Sequence, residues 1–373
     1  MTPQPKKILC MLDSLGAGGA QRQLVELAIG YKERGYEVAF LIYAKAFDNY
    51  YIPTLDEAGI PVMDIEEPNY FLRVIRMRRM IVRYSPDIII AFLETPAFIA
   101  EMASIFPHKW KLIVGERSAA PKKLKERRLR FFLHCHRFAD AVVANSQANL
   151  DIVRQVAPEL DKKRQYVIYN SLNPDKLTCN DSFKYCTHTR RNLLIASSHQ
   201  YLKNLDGLIE AVKLLPDDLR NKLVINWYGH NKFCFYDHSF EDGKQKIKAY
   251  GLDDNFVFHD ATLTIYNHMR EADAIGLFSK YEGFPNAVCE GMYLSKPIVA
   301  TRVSDIPLLL KEGENAFFAD AGSPQTIANA LTAFLLAPPE HLQEMGAKNH
   351  AKAQVLFDKK TILDQYERLF NKE

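Results

Sequence analysis

Short apolar runs alternate with amphipathic stretches along the first 170 residues. Runs at 8–12, 37–43, 61–65, 87–92, 111–114, 141–144 and 166–169 have the length and content of buried strands. Between them, apolar positions recur every three or four residues at 20–34, 70–84, 121–137 and 146–157, which predicts helices. In 70–84, for example, Val74, Met77, Ile81 and Tyr84 share one side and arginines the other. Such βα alternation predicts a parallel sheet covered on both faces. A polar, irregular stretch from 173 to about 190 interrupts the pattern, which then restarts. Strands are expected at 193–196, 223–228, 256–258, 274–278 and 297–300, and helices near 203–215, 285–294 and 323–336. A charged helical segment fills 338–372. The expectation is α/β: two Rossmann-like, doubly wound parallel-sheet domains facing a cleft.

Length agrees, since 373 residues exceed one ordinary core. Hydrophobic residues make up 47% and charged residues 25%, as in soluble globular proteins, and the net charge of +3 selects no partner. Six scattered cysteines form no C-x-x-C pair, which argues against a zinc or redox site and for reduced thiols, with Cys289 a packing residue. Lys6 and Lys7 precede a run that stops at Asp13, too short for a signal peptide. The most apolar stretch, 88–106, contains Glu94, Pro96 and Glu101 and cannot span a bilayer. The expected location is the cytoplasm, at most peripheral on the inner face of the membrane.

Candidate chemistry concentrates in three places. The first strand leads into Ser14-Leu-Gly-Ala-Gly-Gly19 before a helix, where glycines let a ligand approach a helix N-terminus or simply make a tight turn. The spacing is not G-x-G-x-x-G, so a dinucleotide is disfavoured. The second array opens with Ile195-Ala-Ser-Ser-His-Gln-Tyr-Leu-Lys-Asn204. Residues 279–299, containing Glu282-Gly-Phe-Pro-Asn-Ala-Val-Cys-Glu290, place two carboxylates around a helix start near Asn286.

The last stretch resembles the E-x7-E signature of retaining glycosyltransferases of family 4, of the GT-B type. The resemblance covers about residues 7–336, through Ala139–Ser146, Val167–Ser171 and Gly313–Phe318 as well. It implies a nucleotide-sugar site in the second domain and an acceptor side in the first. It also implies that the last helix, roughly 357–371, crosses back onto the first domain. Expected domains are 1–172 with 357–373, and 190–356, joined by a linker at 173–189. By resemblance, Glu290 binds the ribose hydroxyls and Glu282 faces the donor sugar. Backbone N–H groups near Ala287 and Val288, in the run Gly283, Phe284, Asn286, receive phosphate oxygens. Lys203 and Asn204 match the segment that clamps the diphosphate, and Gly18 and Gly19 match the loop facing it. Lys203 and Glu282 are the expected catalytic residues.

Departures are informative. Gln21 stands where relatives have glutamate, and Ala316 replaces a glycine. Ser197 and Ser198 replace the glycine and arginine of the phosphate clamp, leaving His199 and Lys280 as substitute cations. Glu116 and Arg117 stand near a position where many relatives carry histidine; Arg117 either binds an anionic acceptor or the donor phosphate, with Glu116 on the acceptor side, or the two pair with each other. Two basic helices are expected to meet an anionic membrane through Arg76, Arg79 and Arg83 and through Lys123, Arg127 and Arg130, with a solvated face as the alternative. No stacking-aromatic basic module points to nucleic acid. Asp253-Asp254 lacks D-x-D spacing, so no metal and no cofactor is expected.

The function implied is retaining transfer of a sugar from a nucleotide-sugar, UDP-linked, to a hydroxyl of a glycan or lipid-linked acceptor in surface polysaccharide or glycoconjugate assembly. The alternatives are a sugar phosphorylase or nucleotide-sugar epimerase on the same fold, or a non-catalytic nucleotide-sugar-binding protein.

Overall fold

A computed structural model describes residues 5–44, 50–172, 177, 185, 190–230, 237–262 and 264–371. Most of the linker expected at 173–189, and Cys179, Cys186 and Cys234, lie outside these residues. The chain forms two compact units, Met1–Ser171 with Lys359–Glu373, and Leu172–Asp358.

The first unit carries seven parallel strands: β1 (Lys7–Met11), β2 (Glu37–Ile42), β3 (Val62–Asp64), β4 (Ile88–Phe92), β5 (Lys111–Glu116), β6 (Ala141–Ala144) and β7 (Gln165–Val167), in the order β3-β2-β1-β4-β5-β6-β7. Successive side chains of a strand point to opposite faces. Ile8, Cys10, Phe40, Ile90 and Phe92 pack under the helices Gly19–Glu33 and Lys359–Phe370. Leu9, Met11, Leu41, Ile89 and Leu112 pack under Tyr70–Tyr84 and Glu94–Ser104. Burial on both faces is why the strands read as unbroken apolar runs. The C-terminal helix is seated closely: a Cβ on Gly30 would lie 2.6 Å from Leu363, and Tyr31 donates to the Leu363 carbonyl at 3.0 Å.

The second unit carries β8 (Arg191–Ala196), β9 (Leu223–Tyr228), β10 (Phe256–His259), β11 (Ala274–Leu277), β12 (Ile298–Thr301) and β13 (Ala316–Ala319), ordered β10-β9-β8-β11-β12-β13. In both sheets the strand order reverses beside the first strand, between β1 and β4 and between β8 and β11. Crevices at such reversals, outside the strand C-termini, are where α/β sheets hold ligands.

Four local expectations change. The strand β13 is one that the apolar pattern does not predict, being just Ala-Phe-Phe-Ala. The helix Glu94–Ser104 is almost wholly buried, so no polar stripe betrays it, and Pro96 fits its first turn. The helix expected at 121–137 is interrupted at Glu126, whose extended backbone separates Lys122–Lys125 from Arg127–Cys135. The terminal segment breaks at Phe357–Asp358 into Pro339–Leu356 and Lys359–Phe370. Among the described residues no helix is long and apolar enough to cross a membrane.

Candidate active site

At the β8/β11 reversal two loops converge. After β8 the chain makes a short 3-10 turn, Tyr201–Lys203, and then Asn204 adopts a left-handed conformation with φ 64°. Asparagine tolerates that region, and its buried amide donates to the Ala321 carbonyl at 2.9 Å. Asn204 is therefore an anchor that directs Lys203. After β11 the loop 278–285 runs past it, with the Lys280 N–H bonded to the Leu202 carbonyl at 2.8 Å. The result is Lys203 Nζ at 2.5 Å from Glu282 Oε1, with Ser279 Oγ donating to the same oxygen at 2.6 Å. The loop is held from below by Thr301, which donates to the Ser279 carbonyl at 2.8 Å, and by Ser304, which donates to that of Gly283 at 3.0 Å.

The helix Asn286–Tyr293 starts on this loop. Phe284 and Val288 are buried and lock its first turn, and Gly291 lets it approach β11, since a Cβ there would lie 2.6 Å from Ile275. The N–H of Asn286 is bonded to Phe284 and that of Cys289 to Pro285. Among the described residues no acceptor meets the N–H groups of Ala287 and Val288. Unpaired N–H groups at a helix start favour an anion. Glu290, one turn in, is buried and accepts a hydrogen bond from Tyr266 Oη at 3.3 Å. Cys289 is a buried free thiol whose pKa burial pushes well up, a packing residue.

His199 cannot serve as the missing cation. Its ring stacks on Phe240 at 4.1 Å and touches Trp227 and Phe258, and burial pushes its pKa down to about 4. It is neutral at pH 7. Lys280 sits over the Tyr201 ring at 3.6 Å, on the Lys203 turn, and remains the available second cation.

In the first unit, Gly18 is the N-cap of Gly19–Glu33 with extended backbone. A Cβ there would meet only the end of the flexible Gln21 side chain, with Oε1 at 2.3 Å, so the local packing does not itself demand glycine.

The β5 edge corrects several expectations. Glu116 is buried, accepting from Lys123 at 2.5 Å and lying 3.2 Å from His136 Nε2. His136 Nδ1 lies 2.6 Å from Glu101, and Lys123 also reaches Glu94 at 3.0 Å. Burial alone would lower the His136 pKa; Glu101 and Glu116 raise it to about 10. Burial would raise that of Glu116; Lys123 and His136 bring it well below the carboxylate range. Glu116 is thus an interior counter-ion, not an acceptor contact. Arg117 does not pair with it. The guanidinium lies over Phe92 at 3.5 Å and donates to Tyr366 Oη at 2.5 Å and Asn170 Oδ1 at 3.2 Å. Arg117 ties β5 to the C-terminal helix within the first unit. Lys123, only 1% exposed, is removed from the membrane-facing set, whereas Arg76, Arg79, Arg83, Arg127 and Arg130 are exposed. The sequence offered one hint of this network: Glu94 and Glu101 within an apolar run must be paired if buried. Nothing in the spacing pointed to His136 as a partner.

Fold and site together define a GT-B glycosyltransferase. Residues 182–352 match the family "Glycosyl transferases group 1" and residues 17–176 match "Glycosyltransferase Family 4". The chain belongs to the family-4-type GT-B glycosyltransferases. It is 23% identical over 312 residues, 79% of this chain and 80% of the relative, to a Campylobacter jejuni N-acetylgalactosamine-N,N'-diacetylbacillosaminyl-diphospho-undecaprenol 4-alpha-N-acetylgalactosaminyltransferase. It is 30% identical over 167 residues, 43% of this chain and 35% of the relative, to a Streptomyces griseus D-inositol 3-phosphate glycosyltransferase. Anabaena HepE in complex with UDP-glucose superposes with TM-score 0.82 at 22% identity, covering 97% of this chain and 98% of that one. Sucrose-phosphate synthase from Thermosynechococcus elongatus superposes with TM-score 0.81 at 14% identity over 98% of each chain.

Proposed function

We propose that this glycosyltransferase moves a sugar from a UDP-sugar to a hydroxyl of a glycan or lipid-linked acceptor, with retention of anomeric configuration. The observation that carries the donor site is the convergence at the β8/β11 reversal of Lys203, the open N–H groups of Ala287 and Val288, and buried Glu290. Glu290 accepts the ribose hydroxyls by charge-assisted hydrogen bonds. Lys203 and the helix start hold the diphosphate, and Glu282 orients the Lys203 ammonium and faces the sugar. In the chemical step the bond from the anomeric carbon to the β-phosphate oxygen breaks and the bond to the acceptor oxygen forms on the same face. The acceptor proton passes to the departing phosphate oxygen. Negative charge grows on that diphosphate, so fixed positive groups there lower the barrier. These groups take the role a divalent metal plays elsewhere, and the reaction is proposed to need none. Two similar proteins support the substrate classes: HepE was crystallised with UDP-glucose, and the Campylobacter relative acts on a diphospho-undecaprenol-linked sugar. A lipid-linked acceptor places the protein peripherally on a membrane in surface-glycan assembly.

The test is turnover with a panel of UDP- and GDP-sugars and hydroxyl acceptors. The proposal expects a new α-linked glycoside from an α-linked donor plus free UDP. Phosphate-dependent cleavage would identify a phosphorylase, an altered donor sugar an epimerase, and binding without turnover a non-catalytic protein.

A further inference from the structure

The helix Tyr70–Tyr84 carries five arginines and no acidic residue. One side, Met77 and Ile81, is fixed in the core of the first unit, with Val74 and Tyr84 packed beside them. The exposed arc is not wholly polar. Phe71 is 80% exposed, and Ile75 and Val82, which share its line on the helix at 100° per residue, are about half exposed. Arg79 and Arg83 run along one side of that line and have no ion-pair partner among the described residues, while Arg76 is already paired with Glu67 at 2.9 Å. The patch continues onto the neighbouring helix. Tyr70 and half-exposed Phe131 both lie against Phe98, at 6.2 and 5.9 Å, and exposed Arg127 and Arg130 share the helix of Phe131.

A solvated basic face has no reason to hold phenylalanine, isoleucine and valine in water. An apolar line bordered by arginines fits an anionic bilayer surface, with side chains below the headgroups and guanidinium groups among them. We propose that this helix lies in the plane of an anionic lipid surface and inserts Phe71, Ile75 and Val82, with Phe131 as a second anchor. The inference rests on the peripheral location proposed above and replaces attraction by charge alone with insertion. Because Met77 and Ile81 hold the helix in the fold, insertion needs no unfolding.

The test is flotation of the full chain with phosphatidylcholine vesicles and with equal mixtures of phosphatidylcholine and phosphatidylglycerol. Wild type should float with the mixed vesicles only. F71S/I75S/V82S should partition about tenfold or more weakly, with an unchanged melting temperature, because it removes lipid-buried apolar surface and no core contact. R79E/R83E should lose binding similarly. In a Phe71→Trp variant, emission should shift to the blue on adding mixed vesicles. Equal flotation of wild type and F71S/I75S/V82S would overturn insertion. So would a wild-type dimer dissociated by the same substitutions, since the occupant would then be a second copy. Sugar transfer to a short soluble acceptor, run on the same proteins, separates the two readings. Transfer without vesicle binding sinks this inference alone, and vesicle binding without transfer sinks the proposed activity alone.

Discussion

Two lysine–glutamate pairs, one in each unit, have the same 2.5 Å separation and opposite meanings. Lys123 and Glu116 are 1% and 3% exposed, enclosed by His136, Glu101 and Glu94. Lys203 and Glu282 are 17% and 11% exposed, on a loop edge beside unpaired N–H groups. The inner pair is one link of a network whose charges nearly all face one another. The outer pair stays partly open to solvent, on the loop that leads into a helix start where the Ala287 and Val288 N–H groups meet no acceptor among the described residues. Residue type and distance do not separate a structural pair from a functional one; accessibility and the satisfaction of the surrounding polar groups do.

The comparison breaks if the inner pair can be removed cheaply. Lys123→Met leaves buried Glu116, and the partly exposed Glu94, short of a cation, and removing one partner of a buried pair costs about 3–5 kcal/mol. The melting transition should fall by roughly 6 °C or more, at 2–4 °C per kcal/mol for units of this size. UDP affinity of the folded protein should be unchanged. An unshifted transition would show that the network is not structural.

Lys203→Ala should do the reverse. Stability should hardly move, while kcat falls roughly 100- to 1000-fold, as when one fixed donor to developing charge is lost. The loss should appear in kcat more than in KM. A pure KM effect would make Lys203 a ground-state contact only.

A smaller effect follows from pH. His136 titrates near 6.5 when unfolded and about 10 when folded. Its raised folded value means its stabilisation is complete below pH 6.5 and fades as pH rises towards 10. Melting temperature should therefore decline over that range, and the decline should flatten in His136→Gln. His199 has the opposite sign: its stabilisation is full above pH 6.5 and is lost as pH falls towards 4. The smallest effect expected is that of chelation, which should leave activity intact. An enzyme silenced by EDTA and restored by Mg²⁺ would break the assignment of charge stabilisation to Lys203 and the helix start.

The sheets were legible because strands buried on both faces leave unbroken apolar runs. The outer pair was legible because loop, proline and helix start follow one another within Glu282–Glu290. The inner network was not, because its members lie on four separate elements and meet only through packing. Counting charge placed Lys123 on a surface, since sequence spacing cannot say which lysine of a basic helix turns inward. The break at Glu126 mattered here: it re-aims the chain, leaving Lys123 inside and Arg127 and Arg130 outside. Glu94–Ser104 was hidden for the converse reason, a helix without a wet face.

The central claim is that the β8/β11 reversal holds the nucleotide of a nucleotide-sugar, with Glu290 on the ribose. Calorimetric titration of UDP into wild type and Glu290→Ala tests it most directly. Loss of a charge-assisted hydrogen-bond pair costs roughly 1.5–3 kcal/mol, so the variant should bind UDP about tenfold or more weakly at unchanged melting temperature. Equal UDP affinity in both proteins, or no UDP binding by wild type, would contradict the account.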